Sequence, residues 1–329
     1  MWDGAFVSSH FCIYDGMETK KALLISGGGS WGAFGGGTLA KINGDYNTVI
    51  GVSTGSLLAP LTALKEWDML EAAYTTVSDR DIFDCAWYKG LPVSKTGKIR
   101  KIPILMTLLL GQKSVCTSQA LRKTIDKFFT EEQFKELRSK DIEILVGTQN
   151  FAQLPSKIHY FSSMTEEYEE FKDWMWYSAN FPFFTTLVKK SWKDDTGKFH
   201  VGNWSDGGLT DLVGLEQLVM RGYKEIDIVL HRTKTEIKLE GNLINNLSDN
   251  VTTSLNAMRH DIEFEYFFDR IRRLNRHGAT ITVYWLPRKL SKNSMVFNRK
   301  EMLDWWKEGY ESAFDEDRVQ VFPALKKRF

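Results

Sequence analysis

Short apolar runs alternate with segments of helical periodicity in the first part of the chain. Residues 22–26 form an apolar run that predicts a buried β-strand, and a glycine turn separates this run from a predicted helix at 31–42. The apolar run 47–52 predicts a second strand, and residues 53–64, which are small or apolar, predict a buried helix. Strand, turn and helix repeated in this order are typical of a parallel α/β sheet.

Later segments of the chain extend the same pattern. Apolar runs at 142–146, 226–230 and 279–285 predict further strands, and amphipathic periodicity predicts helices at 118–129 and 302–314. Because strands and helices continue to alternate, we expect them to join the same sheet.

The chain shows no internal repeat, low-complexity segment or proline- and glycine-rich linker. We therefore predict one α/β domain over residues 21–329, preceded by an N-terminal extension over 1–20. A helical cap or lid is expected within 80–135. Residues 193–203 predict a hairpin turn, and Met17, which precedes the first strand, is a candidate alternative start.

The composition is that of an ordinary globular protein, with 43% hydrophobic and 26% charged residues. The formal net charge is +1. A nearly neutral molecule has no overall field that draws it to polyanions, so we expect no nucleic-acid partner. Local contact with a lipid surface remains compatible with this charge.

The best candidate for membrane contact is the apolar run 102–110. It is shorter than the ~18 residues that a membrane-spanning helix needs. Basic residues flank the run: Lys98, Arg100, Lys101 and Lys113. Two interpretations stay open, peripheral contact with an anionic membrane surface and a buried helix of the cap.

Three cysteines, Cys12, Cys85 and Cys116, are widely spaced and form no CxxC pair. An odd number with this spacing predicts free thiols in a reducing compartment, not a disulfide framework or a zinc site. The N-terminus lacks the positive charge and the apolar core of a secretory signal. These features predict a cytoplasmic protein.

A candidate nucleophile lies at the second predicted strand-to-helix turn. Residues 51–55 read Gly-Val-Ser-Thr-Gly and match the G-x-S-x-G pattern, with Ser53 at its centre. This pattern makes a sharp turn that lifts the serine clear of the sheet, and the two glycines avoid collisions in it. The helix that follows offers free N–H groups beside the serine. The pattern also fits an ordinary turn with Ser53 as helix N-cap.

A run of glycines follows the first predicted strand, where residues 27–32 read Gly-Gly-Gly-Ser-Trp-Gly. Backbone N–H groups of Gly27, Gly28 and Gly29 could form an oxyanion hole, because acyl transfer develops negative charge on a carbonyl oxygen. The same residues match the G-x-G-x-x-G dinucleotide pattern. No acidic residue ends the second strand, as that pattern requires, and Ser53 stands there instead. The oxyanion hole is therefore the preferred interpretation.

A serine nucleophile needs a base. Among the histidines, His231 follows a predicted strand, but the neighbouring Arg232 and Lys234 indicate a solvated loop. Asp206 is the better candidate, because the glycines at 207–208 allow close backbone approach. Burial without a cationic partner would raise the pKa of an aspartate and make it a better base. Taken alone, Asp-Gly-Gly is also a common turn.

The order of these motifs resembles that of the patatin-like phospholipases. A glycine triplet at 27–29, G-x-S-x-G around Ser53 and Asp-Gly-Gly beginning at Asp206 follow one another as in that family. The block 178–184 is similar to the family's segment upstream of the catalytic aspartate, and 118–129 is similar to the helix after its cap.

This resemblance implies a three-layer α/β/α fold with a mostly parallel central sheet. It implies a serine lipid acyl hydrolase that cleaves fatty-acyl esters of phospholipids or lysophospholipids through an acyl-enzyme, with a Ser53–Asp206 dyad. Gly28 and Gly29 would form the oxyanion hole, with Gly27 shaping the loop. No metal or other cofactor is implied. The substrate would be drawn from a membrane, so peripheral membrane contact is expected.

Two positions depart from the family pattern. Trp31 stands where the family usually carries arginine or lysine. The missing cation puts phosphate-headgroup binding or loop anchoring in doubt, and it could shift the substrate preference towards neutral lipids or lysolipids. Asp211 stands where the family often has asparagine. Two alternatives therefore stay open: an acyltransferase on the same fold, and a catalytically impaired lipid-binding or regulatory protein whose site Trp31 blocks.

Overall fold

The computed structural model describes residues 20–85, 107, 109–152, 156–182, 185–193, 197–209, 214–219, 221–234 and 266–325. Its strands are β1 (Lys21–Ile25), β2 (Thr48–Val52), β3 (Glu143–Asn150), β4 (Lys157–Ser162), β5 (Val188–Lys193), β6 (Phe199–Asp206), β7 (Glu225–Thr233), β8 (Thr280–Leu286) and β9 (Val319–Phe322).

The described α-helices are α1 (Gly32–Ile42), α2 (Thr54–Leu64), α3 (Trp67–Thr75), α4 (Asp79–Ile82), α5 (Gln119–Phe128), α6 (Glu131–Ser139), α7 (Tyr168–Ser178), α8 (Glu216–Val219), α9, described over 266–276, and α10 (Arg299–Glu311). A short 3-10 turn, Gly29–Trp31, leads into α1.

All nine strands form one sheet, in the order β5-β6-β3-β2-β1-β7-β8-β9, with β4 also paired to β3. The five central strands, β3, β2, β1, β7 and β8, are parallel to one another. The outer pairings, β3 with β4, β3 with β6, β5 with β6 and β8 with β9, are antiparallel. The α/β fold with a mixed, mostly parallel central sheet agrees with the sequence prediction.

The central strands are buried on both faces, as their continuous apolar sequences require. In β1, Leu23 and Ile25 belong to the apolar cluster beneath α1, α2 and α10, and Ala22 and Leu24 belong to the cluster on the other face, with side chains of α8 and α9. Alternate residues of a strand point to opposite faces of a sheet. The sheet therefore lies between two helical layers.

The predicted helix at 31–42 forms despite its three successive glycines. A Cβ on Gly36 would lie 2.3 Å from the Trp306 ring, and one on Gly37 would lie 2.0 Å from the Trp306 carbonyl oxygen. From the opposite side, a Cβ on Gly309 would lie 2.1 Å from Phe34 O. The glycines thus allow the backbones of α1 and α10 to approach closely, which fixes α1 behind the glycine triplet that precedes it.

The sequence prediction did not include several elements at the edges of the sheet. Strands β4, β5, β6 and β9 were not predicted as strands, although 193–203 was expected to form a hairpin turn. The structure has β5 and β6 as an antiparallel hairpin pair, and residues 194–196 of the predicted turn lie outside the described residues. β5 alternates between half-buried and exposed positions, so its apolar signal is weak.

The expectation of three free thiols is wrong for two of them, because Cys85 and Cys116 form a disulfide. Asp84 and Thr117, the residues beside these two cysteines, pair their backbones as an isolated antiparallel bridge. The sequence separation of 31 residues hid this proximity. Cys12 lies outside the described residues.

The predicted cap region is described only in part. The apolar run 102–110 lies outside the described residues except for its last positions, where Thr107 is buried and Leu109 and Leu110 are 72% and 51% exposed. The N-terminal extension and Met17 are likewise outside them. Among the described residues, no helix combines the length and the hydrophobicity that crossing a membrane would need.

The disulfide yields a direct test. We expect non-reducing peptide mapping to recover one linked peptide pair containing Cys85 and Cys116. A Cys85→Ser/Cys116→Ser double variant should lose about 2–4 kcal/mol of unfolding free energy in urea, because the cross-link restricts the unfolded chain. Cys12→Ser serves as the matched control with unchanged stability. Recovery of Cys85 and Cys116 as separate alkylated peptides from unreduced protein would contradict the pairing.

Candidate active site

Ser53 lies in a strained turn between β2 and α2. Its backbone has φ +56° and ψ −126°, a left-handed conformation that residues with side chains rarely adopt. The turn is possible because its neighbours carry no side chain: a Cβ on Gly51 would lie 2.3 Å from Gly55 O, and one on Gly55 would lie 2.1 Å from Ile25 O. The predicted G-x-S-x-G segment therefore forms the sharp strand-to-helix turn.

Strand register brings Asp206 to Ser53. β2 and β3 pair up to Val52 with Gly147, so Ser53 follows at the level of Thr148. Beyond the end of β2, the antiparallel strand β6 pairs Asp206 with the same Thr148 of β3. Because Ser53 and Asp206 both reach the level of Thr148, these two side chains meet although they are far apart in sequence.

The two side chains form a short hydrogen bond, in which the Ser53 hydroxyl donates to Asp206 Oδ2 over 2.6 Å. Ser53 is 9% exposed and Asp206 is 6% exposed. The second carboxylate oxygen, Oδ1, accepts the Gly208 N–H at 2.8 Å. The Asp206 N–H donates to Asn180 O at 3.1 Å. These bonds hold the carboxylate in the orientation that faces the serine.

Ser178, at the end of α7, connects the elbow to the sheet. Its hydroxyl accepts the Ser53 N–H at 2.9 Å and donates to Gly147 O at 2.6 Å. The Ser53 amide is thereby tied into the structure and not directed at the pocket. Sequence reasoning noted the block 178–184 as a family-like segment but assigned no role to Ser178 or to the Asn180 carbonyl.

The glycine triplet forms a loop beside Ser53, between β1 and α1. A Cβ on Gly27 would lie 2.9 Å from the Ser53 Cβ, and Gly29 has φ +55°. Among the described residues, no acceptor is found for the N–H groups of Gly28 and Gly29. Backbone amides without an acceptor at the edge of a pocket are suited to bind an anion.

The far side of this loop is anchored to the segment before α10. The Ser30 N–H and hydroxyl both donate to Ser294 O, at 2.7 and 2.9 Å. The Trp31 indole N–H donates to Ser291 Oγ at 2.9 Å, and its ring belongs to the buried core. Trp31 is not among the residues that line the two pockets beside Ser53. It therefore anchors the loop and does not block the site.

His231 is fully buried beneath the same loop, so the expectation of a solvated position is wrong. Its backbone N–H donates to Ser26 Oγ at 2.8 Å, and its Nδ1 lies 2.8 Å from Ser26 O, the carbonyl next to the triplet. Burial lowers the pKa of the imidazole to about 4. The neutral ring with Nδ1–H as donor satisfies this carbonyl. His231 thus supports the loop from behind and does not contact Ser53.

A large apolar pocket opens beside Ser53 and contains about 830 Å³ of empty space, part of it open to solvent. α2, α3, α5 and α7 contribute to its walls, with the loop before α10. Its apolar lining includes Leu57, Leu61, Val77, Phe83, Leu121, Ile125, Phe128, Phe129, Met175 and Phe297. From α7 and the residue after it, Met175 and Ala179 line the pocket, whereas Trp174 lies in the core.

A second, smaller pocket of about 450 Å³ meets Ser53 from the side of the glycine loop. Its lining contains the whole triplet, Asp206 and Gly208, together with Phe181, Ser294 and Met295. Arg232, at the carboxyl end of β7, also lines it. The sequence signal for Arg232 was its position after a strand end, but its basic neighbourhood was interpreted as a solvated loop.

The sequence matches the model of one protein family. The model of the family described as patatin-like phospholipase matches residues 23–219, more than half of the 329 residues. This match covers the glycine triplet, Ser53 and Asp206. Among curated protein sequences, no significant match was found.

Among solved structures, the crystal structure of VipD from Legionella pneumophila is similar to this chain. The two share 15% sequence identity with a TM-score of 0.44, over 93% of this chain and 68% of that one. The family assignment is based on the family model alone. The chain belongs to the patatin-like phospholipase family.

Proposed function

We propose that the protein is a serine lipid acyl hydrolase that cleaves fatty-acyl esters of phospholipids or lysophospholipids. The observation that carries this proposal is the 2.6 Å hydrogen bond between the Ser53 hydroxyl and Asp206 Oδ2, at the point where an apolar pocket and a polar pocket meet. Membership of the patatin-like phospholipase family supports hydrolysis of lipid acyl esters as the reaction class.

In the first half of the reaction, Asp206 accepts the Ser53 proton as Oγ attacks the ester carbonyl carbon. The carbonyl oxygen becomes an oxyanion, and the N–H groups of Gly28 and Gly29 donate to it. The tetrahedral intermediate then collapses and its C–O bond to the alcohol breaks. The leaving alcohol takes the proton from the Asp206 carboxyl group, and the acyl group stays on Ser53.

In the second half, water attacks the acyl-enzyme carbonyl carbon while Asp206 accepts a proton from that water. The same two amides stabilise the second oxyanion. The bond between the carbonyl carbon and Ser53 Oγ breaks, Oγ recovers the proton from Asp206, and the fatty acid leaves. The same carboxylate can serve in both halves of the reaction because it contacts the serine directly.

The large apolar pocket fits the fatty-acyl chain. Its aliphatic and aromatic lining removes hydrocarbon from water, which is worth about 0.8 kcal/mol for each buried CH₂ group. Tyr74 lies in the wall of this pocket. Its hydroxyl donates over 3.0 Å to the carbonyl of Thr54, the first residue of α2. Burial raises the pKa of this phenol, so the group stays neutral.

The substrate lies in a membrane or micelle, so the proposal includes peripheral contact with a lipid surface. The exposed Leu109 and Leu110 provide apolar surface for such contact. A cytoplasmic location stays a prediction from the sequence.

The dyad is tested by two variants that preserve shape. Ser53→Ala removes the nucleophile and Asp206→Asn removes the proton acceptor, so each should lower kcat for fatty-acid release from phospholipid by at least about 10⁴-fold. Ser139→Ala and Asp304→Asn, at exposed positions on α6 and α10, are matched controls that should keep the wild-type rate. A fluorophosphonate probe should label wild-type Ser53. Wild-type rates in Ser53→Ala would exclude the proposal.

The same assay separates hydrolysis from acyl transfer. With glycerol added as acceptor, a hydrolase releases free fatty acid as its main product, whereas an acyltransferase forms new ester. Predominant ester formation, dependent on Ser53, would replace the hydrolase with the acyltransferase.

The neutral state of His231 predicts a dependence of stability on pH. Its pKa is about 4 in the folded protein and about 6.5 in the unfolded chain, so the unfolded chain binds more protons between these values. The contribution of this group to stability is complete above pH ~6.5 and is lost as the pH falls towards 4, by roughly 3 kcal/mol.

The test uses the variant His231→Asn. The asparagine side-chain N–H can replace Nδ1–H as donor to Ser26 O, but the asparagine amide does not titrate. Urea unfolding between pH 4.5 and 7.5 should show a smaller loss of unfolding free energy in the acid range for this variant than for wild type. Parallel pH profiles for the two proteins would show that His231 is not held neutral beneath the glycine loop.

A further inference from the structure

The polar pocket is lined by a basic side chain. Trp31, at the end of the glycine loop, is turned into the core and bonded to Ser291. Arg232 instead lines the polar pocket together with Ser53. Among the described residues of that lining, Arg232 is the single cation and Asp206 the single anion.

The topology explains why Arg232 reaches this pocket. β7 lies beside β1 in parallel, with Val229 paired to Ile25. The chain beyond Val229 therefore runs alongside the loop that leaves β1, which is the glycine triplet. His231 points inward beneath this loop, and its neighbour Arg232 lies on the pocket side.

The guanidinium is oriented at the pocket wall, because its Nη1 donates to His231 O at 3.1 Å. Its side chain is half-buried. A guanidinium is a planar group with five N–H donors that matches the oxygens of a phosphate group, and such charge-assisted bonds strengthen where water is partly excluded. The polar pocket thus presents a site for an anion beside the serine.

We infer that Arg232 is a specificity-determining residue that binds the phosphate of a glycerophospholipid while the acyl chain occupies the apolar pocket. This inference rests on the proposed function, since it assigns the two halves of an amphiphilic ester to the two pockets that meet at Ser53. A neutral glyceride offers the same acyl chain but no anion for the guanidinium. Arg232 therefore favours the phospholipid over the neutral glyceride.

The test compares two lipids that differ in the phosphate headgroup. Dipalmitoyl phosphatidylcholine and dipalmitoylglycerol are presented at equal surface fraction in Triton X-100 micelles, and the rates of fatty-acid release give a phospholipid-to-diacylglycerol ratio. Arg232→Gln should lower this ratio roughly 10- to 100-fold, the range expected for hydrogen bonds to a charged group. Arg232→Lys keeps the charge but loses the planar fork, so its ratio should lie between those of wild type and Arg232→Gln.

Arg221→Gln is the matched control. Arg221 pairs with Glu143 at 2.6 Å, at the start of β3 and thus at the opposite edge of the sheet from Ser53. Its loss removes an arginine of the same chemistry, and the lipid ratio should stay at the wild-type value. Thermal melting followed by circular dichroism checks that the Arg232 variants are folded.

A second measurement distinguishes a lipid headgroup from free phosphate. Hydrolysis of p-nitrophenyl butyrate is followed with added sn-glycerol 3-phosphate, glycerol or inorganic phosphate. We expect competitive inhibition by glycerol 3-phosphate in wild type, a large reduction of this inhibition in Arg232→Gln, and none by glycerol. Inhibition by inorganic phosphate alone, with an unchanged lipid ratio in Arg232→Gln, would overturn the assignment to a headgroup.

The outcomes separate this inference from the proposed function. Absence of fatty-acid release by wild type, or release that persists in Ser53→Ala, defeats the acyl hydrolase itself. Release that depends on Ser53, with the same lipid ratio in wild type, Arg232→Lys and Arg232→Gln, overturns the headgroup role of Arg232 and leaves the hydrolase standing.

Discussion

The register of three neighbouring strands is the constraint on which the candidate site depends. β2 and β6 end so that Ser53 and Asp206 both lie at the level of Thr148 in β3, and a 2.6 Å hydrogen bond then joins the serine to the carboxylate. A shift of β6 by one residue would turn its side chains to the other face. Antiparallel pairing of β6 with the parallel strand β3 is therefore as important to the site as the strained turn that presents Ser53.

The glycine loop depends on supports from three directions. His231 holds the Ser26 carbonyl from beneath, and Ser294 binds Ser30 from the side of the segment before α10. The close packing of α1 on α10 fixes the helix that follows the loop. A loop of three glycines has little conformational preference of its own, so its amides are ordered by these contacts. Trp31 belongs to this framework through its bond to Ser291.

The two pockets that meet at Ser53 differ in chemistry as the two ends of a lipid do. α2, α3 and α5 provide an apolar wall, whereas the glycine loop and Arg232 provide polar groups. The division follows from the fold, because the helices that cover one face of the sheet carry apolar side chains and the carboxyl ends of parallel strands gather loops. This difference supports the proposed amphiphilic ester substrate.

The sequence by itself determined the central strands, the helices α1, α2, α5 and α10 and the local geometry around Ser53, because burial on both faces, helical periodicity and the glycines at 51 and 55 are local signals. Only the tertiary structure decided the edge strands, whose alternation is weak, and the pairing of Cys85 with Cys116. It also decided that His231 is buried beneath the glycine loop and that Arg232 lines the polar pocket. These features arise from contacts between residues distant in sequence, and a charged or polar residue after a strand carries no local sign of the element it will meet.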